Sequence, residues 1–254
     1  MYKGFQYAGR LPSIQKQRIL QKEFLDNIDC TSKCFLQAGV GDGYETNVLF
    51  QSNFFKKCTP KVYLCDIDLS FLNISHHNFI SNYSGQINQI SCSISELNIW
   101  FNEPTFDVIQ VGFVMHDIEH PKEKDEIFSS LYSILNPKGK LIFSDSFIDK
   151  MPTDNSEYEM KRKERTIVLY DFFIGEANEC LKHNLLMQNE FDALLGNGNN
   201  DGIMKTQKDA ANGMRDYYED VNTTIGRMKL AGFSIKSVIN NPVYDVLKII
   251  IAEK

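Results

Sequence analysis

The chain predicts an α/β protein whose core is a doubly wound, mostly parallel sheet of seven strands, closed by a C-terminal antiparallel hairpin and interrupted by a helical lid insertion. Three observations carry that expectation. Short apolar runs alternate with longer stretches of helical spacing through the first 146 residues, as in parallel strands covered on both faces by crossover helices. A glycine-rich turn, Gly39-Val40-Gly41-Asp42-Gly43, stands between the first apolar run and the helix after it. The chain also ends on two apolar runs close together, the pattern of an antiparallel strand pair.

Taken in order, Ile14, Ile19, Leu20, Phe24, Leu25 and Ile28 recur at helical spacing behind the start signals Pro12 and Ser13. Strand expectations then fall at 34–36, 61–65 and, more weakly, 87–93, with helices over 44–55 and 71–82 between them. Residues 106–111 form the fourth strand and 123–135 a helix. Asn136-Pro137-Lys138-Gly139 reads as a turn into a fifth strand at 140–144. From 147 to about 220 the alternation gives way to polar helical stretches at 157–173 and 175–186, and the Gly/Asn run 196–202 reads as a loop. A helix over 223–230 ends at Ala231-Gly232-Phe233, and strands follow at 234–239 and 243–252. The chain therefore divides into an N-terminal helical segment (1–30), a core (31–147 and 221–254) and an insertion over the sheet (148–220).

At 254 residues, 43% hydrophobic and 24% charged, the composition is that of an ordinary globular protein. A formal charge of −6 argues against non-specific nucleic-acid or anionic-membrane partners. The run Lys161-Arg162-Lys163 with Arg165 reads as a solvated helix face. The six cysteines include no C-x-x-C pair and sit mostly in apolar stretches, as free thiols do. Polar residues follow Met1 directly, and no apolar run approaches the roughly 20 residues that span a bilayer. A reduced, cytoplasmic protein is expected, with a homodimer left open.

Glycines 39, 41 and 43 suit a turn whose backbone must approach a ligand closely. Their G-x-G-x-G spacing differs from the G-x-G-x-x-G of dinucleotide folds. The second strand ends in Asp66-Ile67-Asp68, where a carboxylate can accept hydrogen bonds from both hydroxyls of a ribose. Asp68 or Ser70 can instead cap the next helix.

At this point the chain resembles the class I S-adenosylmethionine-dependent methyltransferases, which share a Rossmann-like sheet. The matching pieces are the segments 36–43, 62–68, 106–117 and 131–145 in that order, with the ending Leu230-Ala231-Gly232-Phe233. The resemblance implies transfer of a methyl group from S-adenosylmethionine to an oxygen or nitrogen of a small-molecule acceptor. It also implies a pose for the donor: Gly39, Gly41 and Gly43 at its methionine end, Asp66 at the ribose, Ile67 on one adenine face, Ser93 and Ile94 at the adenine edge, and Val111 beneath. The family usually carries an acid where Gln37 stands, so the contact to the donor's amino end would here come from a neutral amide.

His116 follows the fourth strand, where open α/β sheets place their sites, and its ordinary pKa near 6.5 suits proton removal from a hydroxyl. Asp117 or Glu119 can orient it. It can equally be a bystander in a site that works by alignment alone. Asp145, Phe113, Tyr170 and Tyr217 are substrate-side candidates, although most aromatic groups of an insertion pack between lid and core. His76 and His77 are adjacent on one helix and point apart, so no metal is expected. RNA or protein methylation, or a donor-binding homologue without transfer, are the rival readings.

Overall fold

The computed structural model describes residues 3–29, 31, 33–41, 43–73, 83–196, 202–212 and 216–254. Seven strands form one sheet: β1 (Cys34–Ala38), β2 (Lys61–Asp66), β3 (Ile87–Ser91), β4 (Phe106–Gly112), β5 (Leu135–Ser146), β6 (Ser234–Asn240) and β7 (Leu247–Glu253). Their order is β3-β2-β1-β4-β5-β7-β6. The first five run parallel, and β7 pairs antiparallel with both β5 and β6. Strand order reverses between β1 and β4, and the crevice beyond the carboxyl ends of such strands is where ligands bind in open sheets.

Alternation along the strands sorts side chains into two cores. Leu36, Ile109, Val111 and Leu141 pack with Phe128 and Leu131 of α3 (Pro121–Ile134) and Met228 of α7 (Val221–Ala231). Phe35, Val62, Val108 and Ile142 face the other way, onto Leu25 of α1 (Pro12–Asp26) and Leu49 of α2 (Tyr44–Leu49). A third cluster joins α4 (Asn155–Lys182) and α5 (Gln188–Leu195) to Leu11 and Ile14 at the start of the chain. With α6 (Ile203–Ala211), these helices occupy the stretch between Ile148 and Asp220, two residues that bridge to each other.

The sheet follows the sequence expectation, and several details differ from it. Residues 136–139 lie within β5 rather than in a turn. The Lys138 N–H donates to the Lys254 carbonyl, and the β4–β5 register slips between Phe106 and Val108, so the segment is a bulge held from both sides. The two helices expected at 157–173 and 175–186 are one helix, α4, which runs through Gly175. A Cβ there would meet nothing within 4 Å, so this glycine marks no packing constraint, and mid-helix glycine costs only about 1 kcal/mol. The helix beginning at Leu69 is described as far as Asn73; residues 74–82, with His76 and His77, lie outside the described residues, as do residues 197–201 of the Gly/Asn run.

Cys34, Cys65, Cys92 and Cys180 are free thiols, but Cys58 is disulfide-bonded, against the expectation of a fully reduced chain. Disulfide connectivity is not legible from cysteine spacing alone. Among the described residues, no helix is long and apolar enough to cross a membrane.

Candidate active site

The loop after β1 is shaped by its glycines. Gly39, Gly41 and Gly43 take φ of 73°, 53° and 75°, the left-handed region where a side chain is strained. A Cβ on Gly39 would overlap the Val114 side chain, whereas one on Gly41 would meet nothing within 4 Å. One position needs glycine for packing and conformation together; the other keeps backbone open towards the crevice.

Asp66, at the end of β2, clamps this loop. Its Oδ2 accepts the Gly41 N–H at 2.9 Å and its Oδ1 accepts the Asp68 N–H at 2.9 Å. Burial raises its pKa, and these backbone donors oppose the rise. Each oxygen retains a second lone pair, so the carboxylate can still accept from a ribose. Asp68 is the helix cap: its Oδ1 accepts the Ser70 N–H at 2.7 Å and the Ser70 hydroxyl at 2.5 Å. Ile67, between them, is 77% exposed and leaves an apolar face open beside Asp66. Ser93 is a capping residue, its hydroxyl accepting the Ser95 N–H while its own N–H donates to the Glu96 carboxylate, and Ile94 is buried near Gly39. Val111 is a core residue whose side chain is fully buried on the α3 face.

Gln37 is fully buried, and its Oε1 accepts the Thr46 hydroxyl, tying β1 to α2. Its Nε2 has no hydrogen-bond partner, and neither amide atom of Gln110, its neighbour across β1 and β4, has one. Beyond them, a Cβ on Gly112 would stand 2.6 Å from Glu45 Oε2 and 2.8 Å from Gln110 Nε2. Buried polar groups thus cluster at the ends of β1 and β4, next to the glycine loop.

The second half of the site is built on His116. Its Nδ1 is 2.6 Å from Asp145 Oδ1, and Asp145 Oδ2 accepts the N–H groups of Met115 at 2.9 Å and His116 at 3.2 Å. Asp145 therefore orients His116 rather than opening to a substrate. The sequence offered Asp117 and Glu119 for that task, but Asp117 Oδ2 is 3.9 Å from the imidazole Nε2. The His116 side chain is 13% exposed and stacks on Tyr218, with ring centroids 5.8 Å apart. Burial draws its pKa down, but the charges of Asp145, Asp117 and Asp216 outweigh that and carry it up to about 9. His116, Asp117 and Asp216 each offer one ligand atom, all within 4.8 Å of one another, a set that could hold a metal ion.

A cavity of about 370 Å³ joins the two halves. Gly41 and Phe71, which follow β1 and β2, belong to its lining, as do Phe113, His116, Tyr170 and Tyr218 on the other wall. Phe113 holds a left-handed φ of 56° there. Tyr217 is not on that wall. Its N–H donates to the His116 carbonyl, and its ring lies under the Arg162 guanidinium, 4.7 Å away. Arg162 is buried and paired with Glu159, so the basic run is not a uniformly solvated face. Sequence reasoning missed Arg18 and Ser146 on the wall. The signal for Arg18 was present: it stands four residues after Ile14 and seven before Leu25, on the buried stripe of α1.

Residues 36–143 match the family model of the methyltransferase domain. No curated protein matches the sequence. Among solved structures, a possible exported protein from Bordetella parapertussis superposes with a TM-score of 0.61 at 13% identity, over 96% of this chain and 70% of that one. An O-methyltransferase family protein from Burkholderia thailandensis gives 0.56 at 8% identity, over 95% and 57%. The N-methyltransferase NodS from Bradyrhizobium japonicum gives 0.54 at 10% identity, over 94% and 96%. At such identities the likeness establishes the fold, and the chain spans well under two thirds of the Burkholderia protein. Residues 36–143 thus match a methyltransferase domain, and the strand order and glycine loop belong to the same region of the sheet. A methyltransferase domain implies S-adenosylmethionine as methyl donor, and the loop and Asp66 fit that donor: open backbone at Gly41, a carboxylate that can still accept, and the exposed face of Ile67.

Proposed function

We propose that the enzyme methylates a hydroxyl oxygen of a small, flat and largely apolar acceptor, with His116 as general base. The observation that carries this reading is the His116–Asp145 pair on the wall of an aromatic cavity. With Nδ1–H given to Asp145, the imidazole is fixed in the tautomer whose Nε2 lone pair is available to take a proton. The charge that raises the His116 pKa also raises its proton affinity, so it is a strong base once deprotonated. A positive charge bound in the same cavity disfavours the imidazolium and draws that pKa back towards neutrality.

S-adenosylmethionine supplies the activated methyl group when bound. Gly39, Gly41 and Gly43 would border its methionine end, Asp66 its ribose, Ile67 an adenine face, and Ser93 and Ile94 the adenine edge. Phe113, Tyr170 and Tyr218 would flank the acceptor, and the helices of 148–220 would act as its lid, excluding water and aligning acceptor with donor. The formal charge of −6 and a cavity of about 370 Å³ favour a small acceptor over a nucleic acid.

The test is methyl transfer from labelled S-adenosylmethionine into separate panels of phenols, aliphatic alcohols, amines, carboxylic acids and RNA, with products identified by NMR. Label on a phenolic or similar hydroxyl is the expected result. Label confined to RNA, protein or amines would overturn the acceptor assignment, and activity abolished by chelation and restored by a divalent cation would replace the base with a metal at His116, Asp117 and Asp216.

A further inference from the structure

We propose that Cys65 and Cys92 oxidise reversibly to a disulfide and that this bond weakens the hold on the donor's adenosine. The proposal rests on the donor pose given above, and it gives a role to two thiols that methyl transfer does not use.

The sheet brings the two sulfurs together. Strands β2 and β3 run parallel with Cys65 opposite Ile90, and Cys92 follows two residues further on, packed into the same core. Strand β3 ends at Ser91, so Cys92 lies just past the ladder. The two Sγ atoms are 3.7 Å apart, and Cys65 Sγ is 3.6 Å from the Cys92 carbonyl. A disulfide holds its sulfurs about 2.05 Å apart, so a small local approach is enough to bond them. The other free thiols stand elsewhere, Cys34 at the start of β1 and Cys180 on α4.

The pair is chemically unequal. The hydrogen bond from Cys65 holds the Cys92 thiol below its ordinary pKa, against burial and the charge of Glu96. The Cys65 thiol is pushed up by that same contact and by burial. Cys92 is therefore the nucleophile and Cys65 the resolving thiol. With hydrogen peroxide as oxidant, the Cys92 thiolate attacks one oxygen and breaks the O–O bond. A sulfenic acid forms, and the displaced hydroxide takes up the proton that Cys92 had released. The Cys65 sulfur then attacks the sulfenic sulfur, and hydroxide leaves with the Cys65 proton as a second water. Two electrons pass from the thiols to the peroxide, and a dithiol returns them.

The bond would act where the donor is held. Cys65 precedes Asp66, and Cys92 precedes Ser93 and Ile94, so each sulfur adjoins a residue assigned to the ribose or the adenine edge. Ser93 caps the turn that follows it, and Ile94 is buried with its Cδ1 3.7 Å from where a Gly39 Cβ would stand. Both thiols are buried, Cys65 fully and Cys92 to 7% exposure. Drawing them together in a close-packed core displaces at least one of these chain segments.

Peroxide-treated wild type, alkylated and digested with chymotrypsin, which cuts between the two at Phe71 or Tyr83, should yield peptides joined through Cys65 and Cys92. Dithiothreitol should release them. In calorimetry the oxidation should weaken S-adenosylhomocysteine about 5- to 150-fold, the usual range of coupling between two sites, and dithiothreitol should restore it. By the same linkage, S-adenosylhomocysteine should lower the oxidised fraction at a fixed ratio of oxidised to reduced dithiothreitol. Cys65→Ala and Cys92→Ser should keep the affinity of the reduced protein and lose its response to peroxide. Thermal melts establish that the variants fold; where one does not, the wild-type peptide map and titration carry the comparison. Peroxide that modifies Cys34 or Cys180 and leaves this pair unjoined overturns the proposal, and so does a joined pair with unchanged affinity. Failure of the reduced protein to bind S-adenosylhomocysteine sinks the donor reading instead, while the peptide map still decides whether the bond forms.

Discussion

The proposed donor and acceptor sides of the cavity are made of different material. The donor side is mostly backbone: three left-handed glycines, the N–H of Gly41 and one carboxylate, all within a span of 28 residues from Gly39 to Asp66. The acceptor side is side chains gathered from distant places: His116 after β4, Asp145 on β5, Tyr170 on α4, and Asp216 and Tyr218 where the insertion returns. A site built from backbone is constrained at few residue types and leaves a short motif. A site built from side chains is constrained by packing between elements, and any one of its residues looks ordinary in isolation.

The largest test of this contrast is to disable the acceptor side while sparing the donor side. His116→Gln should lower methyl transfer by roughly 10²- to 10⁴-fold, the usual contribution of a positioned base, with S-adenosylhomocysteine affinity unchanged by calorimetry. An equal loss of donor affinity would mean that the two halves are not separable. The converse uses the two glycines. Gly39→Ala forces a left-handed alanine against Val114 and should cost about 2–5 kcal/mol of stability in urea unfolding. Gly41→Ala meets open space and should cost about 1–2 kcal/mol while weakening donor binding more than its stability loss suggests. Similar stability losses for both would break the distinction drawn between them.

The His116–Asp145 pair also writes a pH signature on stability. The folded imidazole has its pKa raised from 6.5 to about 9. Its contribution is therefore fully present below pH 6.5 and is lost as pH rises through 9. At about 1.4 kcal/mol per pH unit, the loss is of order 3 kcal/mol. Urea midpoints at pH 6 and pH 9.5 should differ accordingly in wild type, and Asp145→Asn should flatten the difference. An unaltered pH slope in that variant would show that another group carries it. The rate should likewise climb with pH towards 9 at low donor concentration, and level off at lower pH when donor is saturating.

The same contrast explains what was legible in the sequence. The strands, the glycine turn and Asp66 announced themselves, because apolar period and left-handed glycine are local signals. His116 was legible by its place after β4. Asp145 was legible as a polar residue ending a strand, but its bond to His116 was not, since 29 residues and a helix separate them. Tyr217 and Tyr218 are adjacent, and only the fold decides that the second faces the cavity and the first supports Arg162. The two helices expected at 157–173 and 175–186 are continuous, because packing of α4 against its neighbours outweighs the small cost of Gly175 in mid-helix. The bulge at 136–139 depended on Lys254, at the far end of the chain.

The smallest expected effect lies at the seam between core and insertion. Asp220 Oδ1 accepts the N–H groups of Asn222 and Thr223, capping α7, while its Oδ2 accepts the N–H of Met151 at 2.9 Å. One carboxylate thus ends the insertion, starts the returning core helix and ties the two ends of the excursion together. Asp220→Ala should cost about 1–2 kcal/mol, the range of a lost N-cap. Asp220→Asn keeps an oxygen for one set of donors but not both, and should fall between. The informative readout is local: amide exchange should accelerate at Met151 and through the first turn of α7 while the β1–β2 loop keeps its protection. If exchange at the glycine loop rose equally, the donor side would depend on the lid's anchorage, and the backbone-built half of the site would not be the autonomous unit its geometry implies.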